Sequence, residues 1–402
     1  MKLLFIHEVN WKTKPIFEIH DYPELLTLRG HTVWFLDFPE GQNSSKFFKR
    51  GNFTTEISTN LTRAHEGSSV EVITPGKICG APIDRLVHSL TFVPLLFRTI
   101  RRTKCDAIVL YGVPTNGWQT IIVAKLLKVP VLFRAIDVSH VLRKTVFRPL
   151  IKIAEKFVYR SAKQISANNE SLRDHCIKYG ANCDNISVDY PGLDLQRFKP
   201  EKEDLELKRS LGLNASDKVV LFMGTLYRFA GLTKFVELME RILVQDRQLK
   251  ILILGEGEAF FDIKQTSIRL GIESQVLMPG FINYDNLPRY LNLASISVNT
   301  FEPSLVTNSA LPWKVVQYLA CGLPTISTPI SGLVAYTGRE SKSIIYRNLD
   351  LSFIDAISEI LGNEELQHDL SIHARALVEA RSSWSNCILR FEQILDELVA
   401  RK

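Results

Sequence analysis

Short apolar runs alternate with helical segments along nearly the whole chain, and the alternation begins again near its middle. The first series is KLLFIH (2–7), TVWFLDF (32–38), VEVITP (70–75), DAIVLYG (106–112), VPVLFRA (129–135) and KQISANN (163–169). The second is KVVLFMGT (218–225), QLKILILGEGE (248–258), QVLMPGF (275–281), ASISVNT (294–300) and PTISTPI (324–330). Runs this short and this continuously apolar suit strands covered on both faces, which are the strands of parallel sheets. The segments between them, such as DYPELLTLRGH and LTKFVELMERIL, carry helical spacing. The chain is therefore expected to be α/β, with two doubly wound, Rossmann-like domains divided near Leu193–Pro200. A length of 402 residues fits two cores better than one. The polar stretch 40–69 reads as a loop or insertion, and 82–104 and 144–163 read as helices.

Ligands of such sheets bind beyond the carboxyl ends of the strands, so five loops matter. The first, His7 to Trp11, has no glycine and is no phosphate-cradling GxGxxG turn. The second, Arg134 to His140, sets Asp137 and His140 just past a strand. Either can hydrogen-bond a hydroxyl-rich ligand or act as acid or base. The same pair also reads as a capping aspartate and a surface histidine. The third loop holds Gly224, Thr225 and Arg228. A glycine lets backbone approach a ligand, and a guanidinium can grip a diphosphate through two hydrogen bonds. The fourth is Gly255-Glu256-Gly257-Glu258. The fifth is NSALPWKVVQYLACGLPTIST, from Asn308 and Ser309 onward. Pro312 sits where a first-turn residue would, Val315, Val316, Leu319 and Ala320 form an apolar stripe, and Gly322 stops the helix. Lys314 lies in the first turn, where a cation opposes the helix dipole and a bound anion would remove that cost. It reads equally as a solvated side chain. Taken together, the glycines, Arg228 and Lys314 point to a nucleoside-diphosphate pocket on the second domain.

Composition narrows the classes. The chain is 46% hydrophobic and 23% charged, as in a soluble globular protein, and no apolar run approaches the roughly 20 residues of a membrane span. The apolar stretch at the start, Leu3 to Ile6, ends at His7 and Glu8, so it reads as a strand and not as a signal peptide. Six scattered cysteines form no CxxC pair, which points to buried thiols in a reducing cytoplasm and to no zinc site. Residues 1–195 hold 26 Lys and Arg against 18 Asp and Glu, while the rest hold 23 against 25. A basic half suggests an anionic partner. DRLVHSLTFVPLLFRTIRRTK, LRKTVFRPLIKIAEKFVYRSAK and SSKFFKRGNF mix apolar side chains with cations, which suits an anionic membrane surface. Packing on the sheet accounts for many of their leucines as well. No nucleic-acid-binding module accompanies the charge.

The runs VLFMGTLYRFAGL, LILGEGE, VLMPGFINYDNLPRYLNLASISVNT and LPWKVVQYLACGLPTIS resemble the donor-binding domain of family 4 glycosyltransferases. PGLDLQRFKP resembles that family's inter-domain connection, and LLTLRGHTVWFL its N-terminal helix and strand. The resemblance covers nearly the whole chain and is strongest over 190–330. It implies a GT-B fold: an acceptor domain at 1–192, a donor domain at 193–378, and a C-terminal helix at 379–402 returning to the first domain. It also implies a retaining transfer from a UDP- or GDP-type sugar, with no cofactor and no metal at the diphosphate. The resemblance implies an acceptor held by the first domain. Joined to the cationic amphipathic segments, it leads to the expectation of a lipid-linked or membrane-associated saccharide acceptor and of a cytoplasmic enzyme, peripheral on the inner membrane face, in cell-surface glycan synthesis. Gly224, Thr225, Arg228, Gly255, Glu256, Asn308, Ser309, Lys314 and Gln317 are the implied donor-binding residues, and His140 and Asp137 the implied catalytic ones. Several positions depart from the family pattern. Thr225 and Ala230 stand where an arginine and a lysine are usual, and Ser309 and Gln317 where two glutamates are usual. Lys314 three residues before Gln317 fits a variant in which the lysine meets phosphate and the next turn meets ribose. A nucleotide-sugar epimerase on the same fold and a non-catalytic binding subunit are the alternative readings.

Overall fold

A computed structural model describes residues 1–39, 54–76, 84–142 and 145–401. The chain forms two compact units, Met1–Pro191 with Ser385–Lys402, and Gly192–Trp384.

The first unit is built on eight strands: β1 (Lys2–Ile6), β2 (Thr32–Leu36), β3 (Glu56–Leu61), β4 (Val70–Thr74), β5 (Ala107–Leu110), β6 (Val131–Ala135), β7 (Gln164–Ala167) and β8 (Ile186–Val188). Their order across the sheet is β3-β4-β2-β1-β5-β6-β7-β8. Every pairing is parallel except β3 with β4. Leu3 to Ile6 are fully buried, as a central strand covered on both faces requires. β3 falls inside the stretch expected to be a loop. It is an edge strand with mostly exposed residues, so it carries no apolar run by which to find it. SSKFFKRGNF lies outside the described residues. β1 lies between β2 and β5, so the connections leave it in opposite directions, and the loops after β1 and β5 diverge there. The final helix, Trp384–Ala400, belongs to this unit. Phe391 stacks on Tyr22 at 4.1 Å, and Glu392 accepts hydrogen bonds from Arg29 (2.8 Å) and His31 (2.6 Å).

Arg134 lies within β6, not in the loop, and is fully buried. Its guanidinium meets both carboxylate oxygens of Glu18 at 2.9 Å and also donates to Ser166 Oγ and the Asp189 carbonyl. A buried charge is tolerated when it is paired and its remaining donors are satisfied, as here.

The second unit holds β9 (Lys218–Met223), β10 (Leu249–Leu254), β11 (Val276–Gly280), β12 (Ile296–Asn299), β13 (Thr325–Ser327) and β14 (Ile345–Tyr346), in the order β11-β10-β9-β12-β13-β14 and all parallel. Its switch point lies between β9 and β12. The helix Leu232–Leu243 covers the sheet through Phe235, Val236, Met239 and Leu243, all fully buried. Near its start the chain is tied to its end. Leu193 bridges to Ser383, and the Arg375 guanidinium donates to the carbonyls of Leu195, Phe198 and Ala320. The helix Glu364–Ser382 runs unbroken, so the chain leaves this unit at Trp384 and not at 378. Among the described residues, no helix is long and apolar enough to cross a membrane.

Candidate active site

In the second unit, the carboxyl ends of β9 and β10 are brought together by glycines. Gly224 has φ +132° and Gly255 φ +133°, a region that favours glycine. A Cβ on Gly255 would stand 2.1 Å from the Gly224 carbonyl oxygen, so the two turns can touch only without a side chain. The Gly255 N–H donates to Gly280 O, and the Gly224 N–H to Leu254 O, which continues the sheet past its last strand residues. Thr225 and the Glu256 side chain are exposed at this edge.

The helix Trp313–Ala320 approaches the same place. Pro312 is its N-cap, with ψ 104°, and stands one residue before the first turn in which it was expected. Tyr318 pins the helix to β9, its phenol oxygen accepting the Met223 N–H at 2.6 Å. One turn earlier, Lys314 is buried, with Nζ 3.6 Å from the centroid of the Phe222 ring and 4.0 Å from that of Phe301. Phe222 is in β9, and Phe301 follows β12. The ammonium thus lies at the switch point of the sheet, beside Gly224. Among the described residues it has neither a hydrogen-bond acceptor nor an ion-pair partner, and desolvation holds its pKa well below that of an ordinary lysine. Two ring faces attract a cation but do not replace its water. The expectation of a solvated Lys314 is therefore overturned. Gln317, one turn on, is also buried.

The other expected donor residues are placed less directly. Arg228 is 71% exposed; its guanidinium lies 3.6 Å from Asp262 and its N–H donates to Glu258. The third loop thus offers an exposed surface cation with a local partner, not a preset clamp. Asn308 Oδ1 accepts the Ser331 N–H, and Ser309 Oγ donates to Leu305 O, so both hold the turn ahead of the 313–320 helix. A cavity of about 300 Å³ opens at the carboxyl ends of β12, β13 and β14, lined by Lys234, Glu302, Thr328, Asn348, Leu349 and Asp350. None of the expected donor residues lines it. Phe222, Phe301 and these polar groups were not singled out from the sequence, because only the strand order places them together.

In the first unit, Asp137 is exposed and accepts a hydrogen bond from Ser139 Oγ at 3.3 Å. His140 opens a short helix, Ser139–Leu142, and is buried to 3% exposure. Its main-chain N–H donates to Glu155 Oε1 at 3.1 Å, and its Nδ1 is hydrogen-bonded to Glu155 Oε2. Glu155 projects from the helix Arg148–Ser161 and is wholly buried. Burial raises its pKa, while the His140 contacts pull it back down. His175 packs against His140 with ring centroids 5.9 Å apart, and burial lowers its pKa to about 4. One ligand atom from each of His140, Glu155 and His175 lies within 4.8 Å of the others. Glu155 and His175 left no signal in the sequence beyond single polar residues on helices.

A pair of doubly wound sheets, one with a buried ammonium at its switch point, defines a nucleotide-binding α/β protein. Residues 203–377 match the family model for glycosyl transferases group 1, and residues 25–197 that for glycosyltransferase family 4. The chain belongs to glycosyltransferase family 4, the retaining, nucleotide-sugar-dependent glycosyltransferases of GT-B fold. It is 24% identical over 386 residues to the D-inositol 3-phosphate glycosyltransferase of Corynebacterium aurimucosum, covering 88% of each chain. It is 23% identical over 234 residues to an uncharacterized glycosyltransferase of Methanocaldococcus jannaschii, covering 57% of this chain and only 58% of that protein. Anabaena HepE, solved in complex with UDP-glucose, shares the fold with a TM-score of 0.71 at 17% identity, over 100% of both chains.

Proposed function

We propose that this protein transfers a sugar from a UDP- or GDP-type nucleotide sugar to a lipid-linked or membrane-associated saccharide. The observation that carries the donor half is the unpartnered Lys314 ammonium between Phe222 and Phe301. A buried cation with no counter-charge is costly, and a diphosphate is the counter-charge that fits a glycine-rich strand end and a helix start. As the bond from sugar to diphosphate breaks, negative charge grows on the leaving oxygens. Lys314 and the first-turn N–H groups of the 313–320 helix stabilise that charge where it develops. Arg228 swings from Asp262 to join them. Gln317 serves the ribose, and the cavity with Glu302, Thr328 and Asn348 in its lining offers hydrogen-bonding groups to the sugar hydroxyls. HepE binds UDP-glucose on this fold, which favours a UDP-hexose. His140 and Asp137 orient the sugar or the acceptor hydroxyl, and no stable covalent intermediate forms on them.

The acceptor half rests on the 148–161 helix and the turn before it. Val146, Phe147, Leu150, Ile153 and Phe157 are exposed along one stripe, while Ile151, Glu155 and Val158 on the other face are buried. Arg148 and Arg160 are exposed at either end of the helix. An apolar stripe flanked by cations inserts into the boundary of an anionic membrane, with about 1 kcal/mol from each nearby cation. Such a protein works at the cytoplasmic membrane face, where lipid-linked acceptors lie. Sugar release from a panel of UDP- and GDP-sugars, with and without lipid-linked acceptor, tests the reading. Release that needs the acceptor supports it. Epimerised free sugar nucleotide with no transfer, or no turnover with any donor, overturns it.

A further inference from the structure

Among the described residues, His140, Glu155 and His175 are the one group of three or more His, Cys, Asp or Glu whose ligand atoms lie close enough to hold a metal ion, and the donor site does not use them. Both oxygens of Glu155 are already engaged by residues of a single turn. Oε1 accepts the His140 N–H, the Ser139 N–H also bonds the carboxylate, and Oε2 meets His140 Nδ1. The surroundings are cationic. Lys152 and Lys156 lie over the Tyr179 ring, at 5.3 and 5.8 Å, and Tyr179 stacks on His175 at 4.5 Å. Lys178 and Lys152 bear on His175 as well. Lysines gathered on the His175 side disfavour a divalent ion there. Burial raises the Glu155 pKa, and the bonds from His140 and Ser139 pull it back down.

We propose that Glu155 is a positioning residue for His140. It holds the imidazole in the tautomer with the proton on Nδ1 and leaves the Nε2 lone pair free to accept a hydrogen bond from a reacting hydroxyl. The inference rests on the catalytic role proposed for His140. The geometry supports it at three points. The carboxylate grips both the main chain and the ring of one residue, so ring orientation and backbone are fixed together. His140 Nε2 makes no hydrogen bond to any described residue. His175 stacks beside the His140 ring, centroids 5.9 Å apart and interplanar angle 26°, and so helps hold its plane. A histidine held by a carboxylate in this way is oriented by it and stabilised when it becomes charged, while the carboxylate itself stays ionised.

The test uses the full-length protein with 15N-labelled histidine. At neutral pH, His140 is expected to show a protonated Nδ1 and a bare Nε2. In Glu155→Gln the carboxamide places an NH2 against Nδ1, so the proton moves to Nε2. Turnover should then fall at least about 100-fold, while donor KM changes less than twofold. Glu155→Asp, which keeps the carboxylate, should retain the wild-type tautomer and recover part of the turnover. Thermal melts and donor affinity confirm that each variant is folded. A wild-type His140 protonated on Nε2 overturns the proposal. So does a folded Glu155→Gln with full turnover alongside an inactive His140→Ala, in which case the role of His140 survives and that of Glu155 fails. An active His140→Ala removes the catalytic reading itself and the proposal with it. Titration with cobalt(II) that gives intense visible bands, lost in His175→Ala, would replace it with a metal site.

Discussion

Lys314 Nζ lies 3.6 Å from the ring centre of Phe222, and among the described residues no acidic group pairs with it. A strand-end aromatic and a helix-start lysine thus make a cation site that is incomplete in the free protein. Replacing Lys314 with methionine keeps the volume and removes the charge. Nucleotide affinity should drop by about 1.5–3 kcal/mol, the range for hydrogen bonds to charged groups. The free protein should melt higher, by about 2–4 °C for each kcal/mol of relieved desolvation. Calorimetric titration with UDP and a thermal melt check both signs at once. A variant that binds UDP as before would remove the diphosphate from this place.

The same lysine sets a pH dependence. Its folded-state pKa is lowered by burial, so between that value and the ordinary lysine value of 10.5 the unfolded chain holds a proton that the folded chain lacks. Stability of the free protein should therefore rise with pH across that window. A bound diphosphate favours the ammonium and raises the pKa again. Nucleotide binding should then take up a proton, and affinity should weaken as pH climbs through the window. Titrations in buffers of different ionisation enthalpy measure the uptake. Zero uptake at every pH would mean that the ammonium is already charged before binding.

Membrane contact should depend on the stripe of the 148–161 helix. The protein is expected to bind vesicles containing phosphatidylserine, bind neutral vesicles weakly, and dissociate as salt is raised. Leu150→Glu with Ile153→Glu should abolish binding without lowering the melting temperature, because both side chains are already in water. Sedimentation with vesicles decides. Undiminished binding by the double variant would exclude this surface.

Transfer should retain the anomeric configuration and proceed in excess EDTA, with Lys314, Arg228 and the helix start neutralising the leaving group. NMR of the first-formed product gives the configuration. An inverted product would contradict the family mechanism, and dependence on added magnesium would contradict the role given to the cations.

Gly255→Ala should be among the most damaging single changes in the second unit. The added carbon meets backbone at 2.1 Å, and φ +133° is itself strained for alanine by about 1–3 kcal/mol. A markedly lowered melting temperature is expected, read by calorimetry. A variant as stable as the parent would show that the turns after β9 and β10 do not need their close contact.

Strand and helix periods were legible along the chain because they are local properties. A buried parallel strand needs a short apolar run and an amphipathic helix needs a 3.6-residue repeat, whatever they pack against. KLLFI, AIVL, KVVLFM and LKILIL were therefore found without the fold, and with them the strand-end loops that hold Gly224, Gly255 and His140. β3 was not found, because an exposed edge strand has no such run.

The amino-acid sequence by itself determined the two parallel sheets, the glycine turns at their carboxyl ends and a lysine at the start of a short helix. Tertiary structure decided what those residues meet. Phe222 and Phe301 flank Lys314 only because β9 and β12 are neighbours in the sheet although two strands separate them along the chain. Glu155 reaches His140 only because their two helices pack together, and Arg228 faces Asp262 because its loop lies against the helix Phe260–Arg269. Local pattern reports which face of an element is apolar. It carries no record of which distant element will cover that face, and desolvation, pairing and tautomer all follow from that choice.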